Sequence, residues 1–553
     1  MKTLLRCLIL VLFADQIAGQ NLDSLYTSLI ELHSLSEKPL MEIQSQPPVK
    51  CGFSVVADVK LNFDRFTKEQ QNTIAKILER PELPLSVVSP KGFFRIHYTE
   101  TGPDAVAYDV NEAAAAFDSA YTYEVNILGY PPPSSDNGEG GDNLYDVYIK
   151  NLGPVYGITT PETHIGNDRY TSYIRIDNDF DPNNFYSSGI DGVKVTAAHE
   201  FHHAIQVSGY INRSSDRFYY EITSTSMEDF VYDTIDDYVA YMPGYFRNTD
   251  VSFSKSQGNG YDLAVWNLFL DQRFKEDGNN VGKNIIKRSW ELMPQNQAVR
   301  AVVSALEEAG YSFKQEFNNF GIWNYFTNYR KKEGEYYKDA ASYPVIVPMM
   351  NTDFNPPEQS YVINSYPVSN TYLRFLDDSE GFPDTLVVIL TDGDIADAVD
   401  NPNSENTFNY LLTSEYVEGS KKIIENKYYS VISGEGAQYI GEADIFNNEV
   451  AGTVQLDRGE IDYAFPQPFS YKKHSILKIP AAKSLSDQAE LNIYTTAMDL
   501  VYSGKLKINT LEKVVVYWDG KDNNGNQLPT GIYLYATKSG DEIKKGKILI
   551  LNE

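Results

Sequence analysis

Cysteine is nearly absent from this 553-residue chain: there are two, Cys7 and Cys51. Cys7 falls inside an apolar N-terminal leader, so a chain processed behind that leader keeps Cys51 alone. No internal disulfide can then form, which excludes the stapled architectures of small secreted modules. Histidine is also scarce, with seven residues in all, and so is positive charge. Against 76 Asp and Glu there are 47 Lys and Arg, a formal net charge of -29. A surface of that sign repels phosphate backbones, so no nucleic-acid partner is expected. Beyond the leader there is no apolar run long enough to cross a bilayer.

The leader itself, MKTLLRCLILVLFADQIAGQ, has Lys2 and Arg6, an apolar stretch from Leu4 to Phe13, and small residues at Ala18 and Gly19. That pattern predicts a secretory signal over 1–19 and a location outside the cell or on a bacterial cell surface. Aromatic residues make up 13% of the chain and 41 of them are tyrosine, a side chain suited to half-buried sheets.

Residues 20–50 are polar, contain Pro47-Pro48, and read as an N-terminal prefix or propeptide. From 51 to 345 helices and strands mix. KEQQNTIAKILERP reads as a helix stopped by proline, GFFRIHYTE as a strand, and VNEAAAAFDSAYTYEVNILGY as a helix ending at Pro131-Pro132-Pro133. LYDVYIK and TSYIRIDNDF read as strands, and 216–242 as further helix. LAVWNLFLDQRF and AVVSALEEAG carry apolar residues at spacings of three and four, the mark of amphipathic helices. Near Tyr343-Pro344 the texture changes to short alternating strands such as TLVVILTD, KIIENKYYSVIS, HSILKIP, AELNIYTT, KVVVYWDG, GIYLYATK and GKILIL. A β-rich region over 346–460 and a further domain over 461–553 are expected.

Three of the seven histidines fall in HEFHH, residues 199–203. On a helix, His199 and His203 lie on one face, roughly 40° apart at about 100° per residue, so both imidazoles can meet one ion. Glu200 stands on the flank where its carboxylate reaches a metal-bound water; this is H-E-x-x-H, with the glutamate as general base. His202 lies on the other side, away from Glu200, and is expected to pack or hydrogen-bond nearby instead. A catalytic zinc site takes three protein ligands and a water. Glu221, in the next helical stretch, is expected as the third, with Glu228 or Asp229 orienting a histidine N–H. TSYIRI (171–176) is expected to be the edge strand to which a peptide adds. Tyr210, Tyr232 and Tyr238 are the candidates for stabilising an oxyanion.

HEFHHAIQ and FYYEITSTSMED resemble bacterial exported zinc metalloproteases of the gluzincin type. FRIHYTETGPDAV, ILGYPPPSSDNGEGGDNLYDVYI, GYDLAVWNLFL and FNNFGIWNYFT resemble segments of the same family, so the likeness covers roughly residues 50–345. The resemblance implies a zincin-like α+β protease domain in which His199, His203 and Glu221 bind zinc and Glu200 is catalytic. It departs from the family at His202, where Phe or Tyr is usual, and at Glu221-Ile222-Thr223-Ser224, where Glu-Gly-Thr-Ala is usual. AFPQPFSYKKHSILKIP, VVVYWDGKDNNG and LPTGIYLYATKSG resemble the C-terminal Ig-like module of exported bacterial proteins, both the FlgD-type domain and the type IX secretion sorting domain. That implies an all-β C-terminal half ending in an Ig-like β-sandwich that engages export machinery or the cell surface.

These readings converge on a secreted zinc endopeptidase acting on protein or peptide substrates. The competing expectation is a surface adhesin or binding protein built on an inactive protease fold. A zinc hydrolase acting on other bonds ranks third. SSDNGEGGDN (134–143) has the oxygen donors and glycines a Ca2+ loop uses, without EF-hand spacing. Cys51, with no partner motif in the sequence, is expected to be a buried structural thiol.

Overall fold

A computed structural model describes residues 22–37, 48–255, 259–275, 280–353, 358–377, 384–393, 395, 406–413, 436–441, 463–482, 488–509, 515–539 and 542–552. The expected signal segment, the strand KIIENKYYSVIS and the boundary near 461 lie outside the described residues. The chain divides into two compact units, one drawn mainly from residues up to Phe313 with Trp323–Val347, the other from Lys314–Ile322, Pro348–Asp397 and Asn403–Glu553. One division between the units falls at Val347–Pro348. Helices and a mixed sheet build the first unit; the second is rich in β structure.

The first unit begins with a helix over 22–34, α1, whose apolar face packs through Leu25, Leu29 and Leu32 against Val56, Val155 and Ile158. Strand β1 (Val49–Cys51) leads into α2 (Phe53–Leu61). Helix α3 (Lys68–Ile77) starts on a reciprocal cap: the Thr67 side chain accepts from Gln70 N–H, and the Gln70 side chain accepts from Thr67 N–H. Then come β2 (Leu85–Val88), β3 (Phe94–Tyr98), α4 (Val110–Tyr121), β4 (Tyr145–Ile149), β5 (Val155–Gly166) and β6 (Arg169–Ile176). The motif helix α5 (Gly189–Ile205) and α6 (Arg217–Val231) follow, then α7 (Pro243–Arg247), α8 (Val265–Arg273), α9 (Val281–Leu292) and α10 (Ala298–Glu308). The helical stretch expected over 216–242 therefore ends at Val231, and short turns replace its second half.

Six strands form one sheet in the order β1-β5-β6-β4-β3-β2. Strand β6 is internal, paired with β5 on one side and β4 on the other. The expectation that 171–176 is an open edge is therefore wrong. From Ile174 to Ile176 both hydrogen-bonding edges are spent, and Tyr173, Ile174 and Ile176 are fully buried. On the β5 side the outer strand is β1, which pairs with β5 only at Val155 and Gly157; the sequence pattern gives no strand expectation for β5. Against this sheet lies α5, whose residues from Val193 to Ile205 are buried apart from Lys194. A side chain at Gly157 of β5 would strike Glu200, its Cβ falling 2.6 Å from Glu200 Cγ. Glycine there lets the strand pass close to the motif helix.

In the second unit, β7 (Met350–Asp353), β9 (Ser369–Asp377), β10 (Asp384–Asp392) and β12 (Gly436–Gly441) form a four-stranded sheet, while β8 (Glu358–Ser365) pairs with β11 (Asn406–Thr413). Nearer the C-terminus come β13 (Phe469–Ser470), β14 (Leu477–Pro480), β15 (Gln488–Thr495), β16 (Leu500–Asn509), β17 (Val515–Trp518), β18 (Gly531–Ser539) and β19 (Glu542–Leu551). Strand β16 pairs with both β15 and β17. All seven strands thereby join into one continuous sheet around a core of Phe469, Leu477, Leu491, Ile493, Val516, Trp518, Ile548 and Ile550. Strand β16 bridges what a sandwich would keep as two sheets.

Candidate metal centre

The i, i+4 spacing on α5 brings His203 Nε2 to 3.2 Å from His199 Nε2. Packing of α6 against α5 then places Glu221 Oε2 3.3 Å from His199 Nε2 and 3.2 Å from His203 Nε2. These three donors form a nearly equilateral triangle. A tetrahedral ion bound at about 2.0–2.1 Å requires ligand separations of about 3.3–3.4 Å. The observed edges fit that requirement, and two imidazoles with a carboxylate are the donor chemistry of a zinc site.

Each ligand is held from behind. Glu228 Oε1 lies 2.8 Å from His199 Nδ1, and Gln206 Oε1 lies 2.7 Å from His203 Nδ1. Ser54 Oγ donates to Glu221 Oε1 at 2.7 Å. Such partners fix which ring nitrogen faces the ion. Glu228 in turn accepts from Lys50 Nζ at 2.7 Å, and Lys50 also pairs with Asp237. Burial alone would pull the Lys50 ammonium down; Asp237 and Glu228 outweigh it and hold it raised. Burial likewise opposes charge on His199, yet its bonds to Glu221 and Glu228 raise it to about 9. In Glu221 the burial penalty is overcome by the neighbouring His203 and His199, which keep the carboxyl well below its usual range.

Glu200 is fully buried, with Oε2 accepting from Thr159 Oγ1 at 2.6 Å. Its Oε1 has no hydrogen-bond partner among the described residues. His202 does not join the triangle. Its Nδ1 lies 2.8 Å from Glu124 Oε2, and its ring stands edge-on to Tyr130. Burial, reinforced by the charges of His203 and His199, holds His202 well below its usual pKa. Of the two acids expected behind the histidines, Glu228 meets His199, whereas Asp229 pairs with Lys338 Nζ at 3.1 Å. Consecutive helix positions face directions about 100° apart, so only one of Glu228 and Asp229 can face α5.

The three tyrosines proposed from sequence are elsewhere. Tyr210 packs on Trp290, Tyr232 donates to the Ala116 carbonyl, and Tyr238 meets Tyr343. The tyrosine at the centre is Tyr261. Its ring lies 6.1 Å from that of His199, and its hydroxyl donates to the Cys51 carbonyl at 3.3 Å. Cys51, expected as a buried structural thiol, is buried, and it also stands beside the metal donors. Its Sγ belongs to the same cluster, with all four donor atoms within 4.8 Å of one another. Burial, with Glu200 and Glu221 close by, pushes its thiol pKa well up. No local motif marks either residue, because strand pairing and long loops bring them in.

Two of the three acids in the loop considered for Ca2+ pair with arginine: Asp136 with Arg80 and Asp142 with Arg95.

No protein-family profile matches this chain, and no curated protein matches it. Two solved structures from Porphyromonas gingivalis show slight likeness. One is PorZ, a surface component of the type-IX secretion system, at 11% identity and TM-score 0.14 over 30% of this chain and 29% of that one. The other is dimeric latent PorU, at 10% identity and TM-score 0.13 over 35% and 30%. The chain thus spans 29% and 30% of their lengths, and likeness this slight fixes neither fold nor function.

Proposed function

We propose that the chain is a secreted, zinc-dependent endopeptidase of zincin type, with its C-terminal β-rich region as a surface or sorting module. The observation that carries the reading is the donor triangle of His199, His203 and Glu221, with edges of 3.2, 3.2 and 3.3 Å. When bound there, zinc supplies Lewis acidity, lowering the pKa of a water and polarising a scissile carbonyl. Glu200, steadied by Thr159, presents its free Oε1 as the general base that takes a proton from water and returns it to the leaving amine. Tyr261, whose hydroxyl already donates to a backbone carbonyl, is placed to donate to the developing oxyanion. The peptide backbone pairs with β5, whose Thr159 touches Glu200, and not with β6.

A second reading, a binding protein on an inactive protease fold, is favoured by one observation: no donor of the cluster is more than 6% exposed. Casein hydrolysis separates the two readings. It is assayed in wild type and in Cys51→Ala, because the thiol stands beside the metal donors. The peptidase reading expects hydrolysis that a chelator abolishes and that Glu200→Gln removes while zinc is retained. Zinc retained without hydrolysis in either chain supports the binding protein.

A further inference from the structure

The peptidase reading gives Cys51 no task, yet its sulfur joins two imidazoles and a carboxylate in one buried cluster. We propose that Cys51 is a fourth protein ligand to the metal and that the segment Val49–Gly52 holds the site shut. This inference rests on the metal reading above.

The segment is fixed in place by contacts that do not involve the sulfur. Strand β1 pairs in parallel with β5, with Cys51 opposite Gly157, and Gly52 N–H donates to the Gly157 carbonyl at 3.0 Å. The Cys51 carbonyl occupies the Tyr261 hydroxyl, the donor assigned above to the reacting carbonyl of a substrate. Next in the chain, the Phe53 ring stacks on His203 with centroids 4.1 Å apart. Lys50, before it, is anchored on Glu228 and Asp237. Residues 49–54 therefore lie where a bound peptide would have to lie. They also cover the stretch of β5 nearest Glu200.

The chemistry of a fourth ligand balances without any co-reactant. A thiolate is a strong zinc ligand, and a tetrahedral site with four protein ligands has no position left for water. When the sulfur binds, its S–H bond breaks and a sulfur lone pair makes the new bond. The proton passes to Glu200 Oε1, the buried oxygen that has no other partner among the described residues. Reversal returns the proton to sulfur and opens one position. The same glutamate serves both states, as proton holder when shut and as general base when open. A closed set of donors also accounts for their burial, which an open hydrolytic site would not require.

Cobalt(II) loaded into the full-length chain tests this, using wild type, Cys51→Ala and Cys51→Ser. The expected result is a thiolate-to-cobalt charge-transfer band in wild type that both variants lose, while each variant keeps about one cobalt. Casein hydrolysis is expected to rise several-fold in Cys51→Ala over wild type. Cobalt-loaded wild type with visible d–d bands but no charge-transfer band overturns the ligand assignment and leaves the three-ligand site standing. A band with unchanged hydrolysis in Cys51→Ala overturns the closure. Failure of every chain to take up cobalt overturns the metal reading itself, and this result is distinct from the other two.

Discussion

Glu228 binds His199 and Lys50 with its two carboxylate oxygens at once, at 2.8 Å and 2.7 Å. The histidine that would face the ion is thus tied to a lysine only 2% exposed. Removing one partner of a buried pair leaves an uncompensated charge, which costs about 3–5 kcal/mol. Lys50→Met is expected to lower the unfolding free energy by that much, read as a lower urea midpoint at an unchanged slope. Glu228→Gln keeps the shape and loses the charge. It is expected to weaken zinc binding by about 10–100-fold in a competition titration with a chelating dye. Unchanged affinity would mean that Glu228 does not tune His199.

Tyr261→Phe removes one hydroxyl and little packing. In a Cys51→Ala background, kcat is expected to fall by about 10²–10³ with KM nearly unchanged, the pattern of a lost oxyanion donor. A rise in KM at constant kcat would instead make Tyr261 a substrate-binding residue.

His202 pairs with Glu124 and sits among aromatic rings rather than at the triangle. His202→Phe is expected to keep full zinc content. It should lose about 1–3 kcal/mol of stability, because Glu124 is left buried without its partner. Zinc per chain and a urea curve on one preparation check both halves.

Burial pushes the Asp229 carboxyl from the usual 3.8 up to about 6, against the opposing pull of Lys338. The folded pKa is raised, so the unfolded chain gives up this proton first. Its contribution to stability is full below about pH 4 and is lost as pH rises through about 6. Asp229→Asn is expected to remove up to about 3 kcal/mol of that decline without changing zinc content. Urea unfolding of both chains at pH 4 and pH 7 gives the comparison; equal pH dependence in the two would contradict it.

Short-range periodicity makes the motif legible in the sequence. The i, i+4 rule fixes which two histidines of HEFHH can meet, and Glu221 falls on the helix that packs against them. The turn-rich β texture after 345 is legible for the same reason. Long-range pairing is not. Nothing in TSYIRI distinguishes an internal strand from an edge, because that depends on which strands flank it. VYGITTPETHIG carries a proline and no sustained alternation to mark it as a strand, although it lies between β1 and β6 in the sheet. Cys51 and Tyr261 reach the centre through a parallel strand pair and a loop, contacts that leave no spacing to read. Of Glu228 and Asp229, helix phase selects one, and the choice depends on a rotation of α6 that only packing sets.

Zinc stoichiometry tests the metal centre most directly. Zinc per chain is measured after dialysis against metal-free buffer in wild type, Glu221→Ala and Glu200→Gln. About one zinc in wild type and in Glu200→Gln, with a large loss in Glu221→Ala, is the predicted result. Equal zinc in wild type and Glu221→Ala, or none in wild type, would contradict this metal centre.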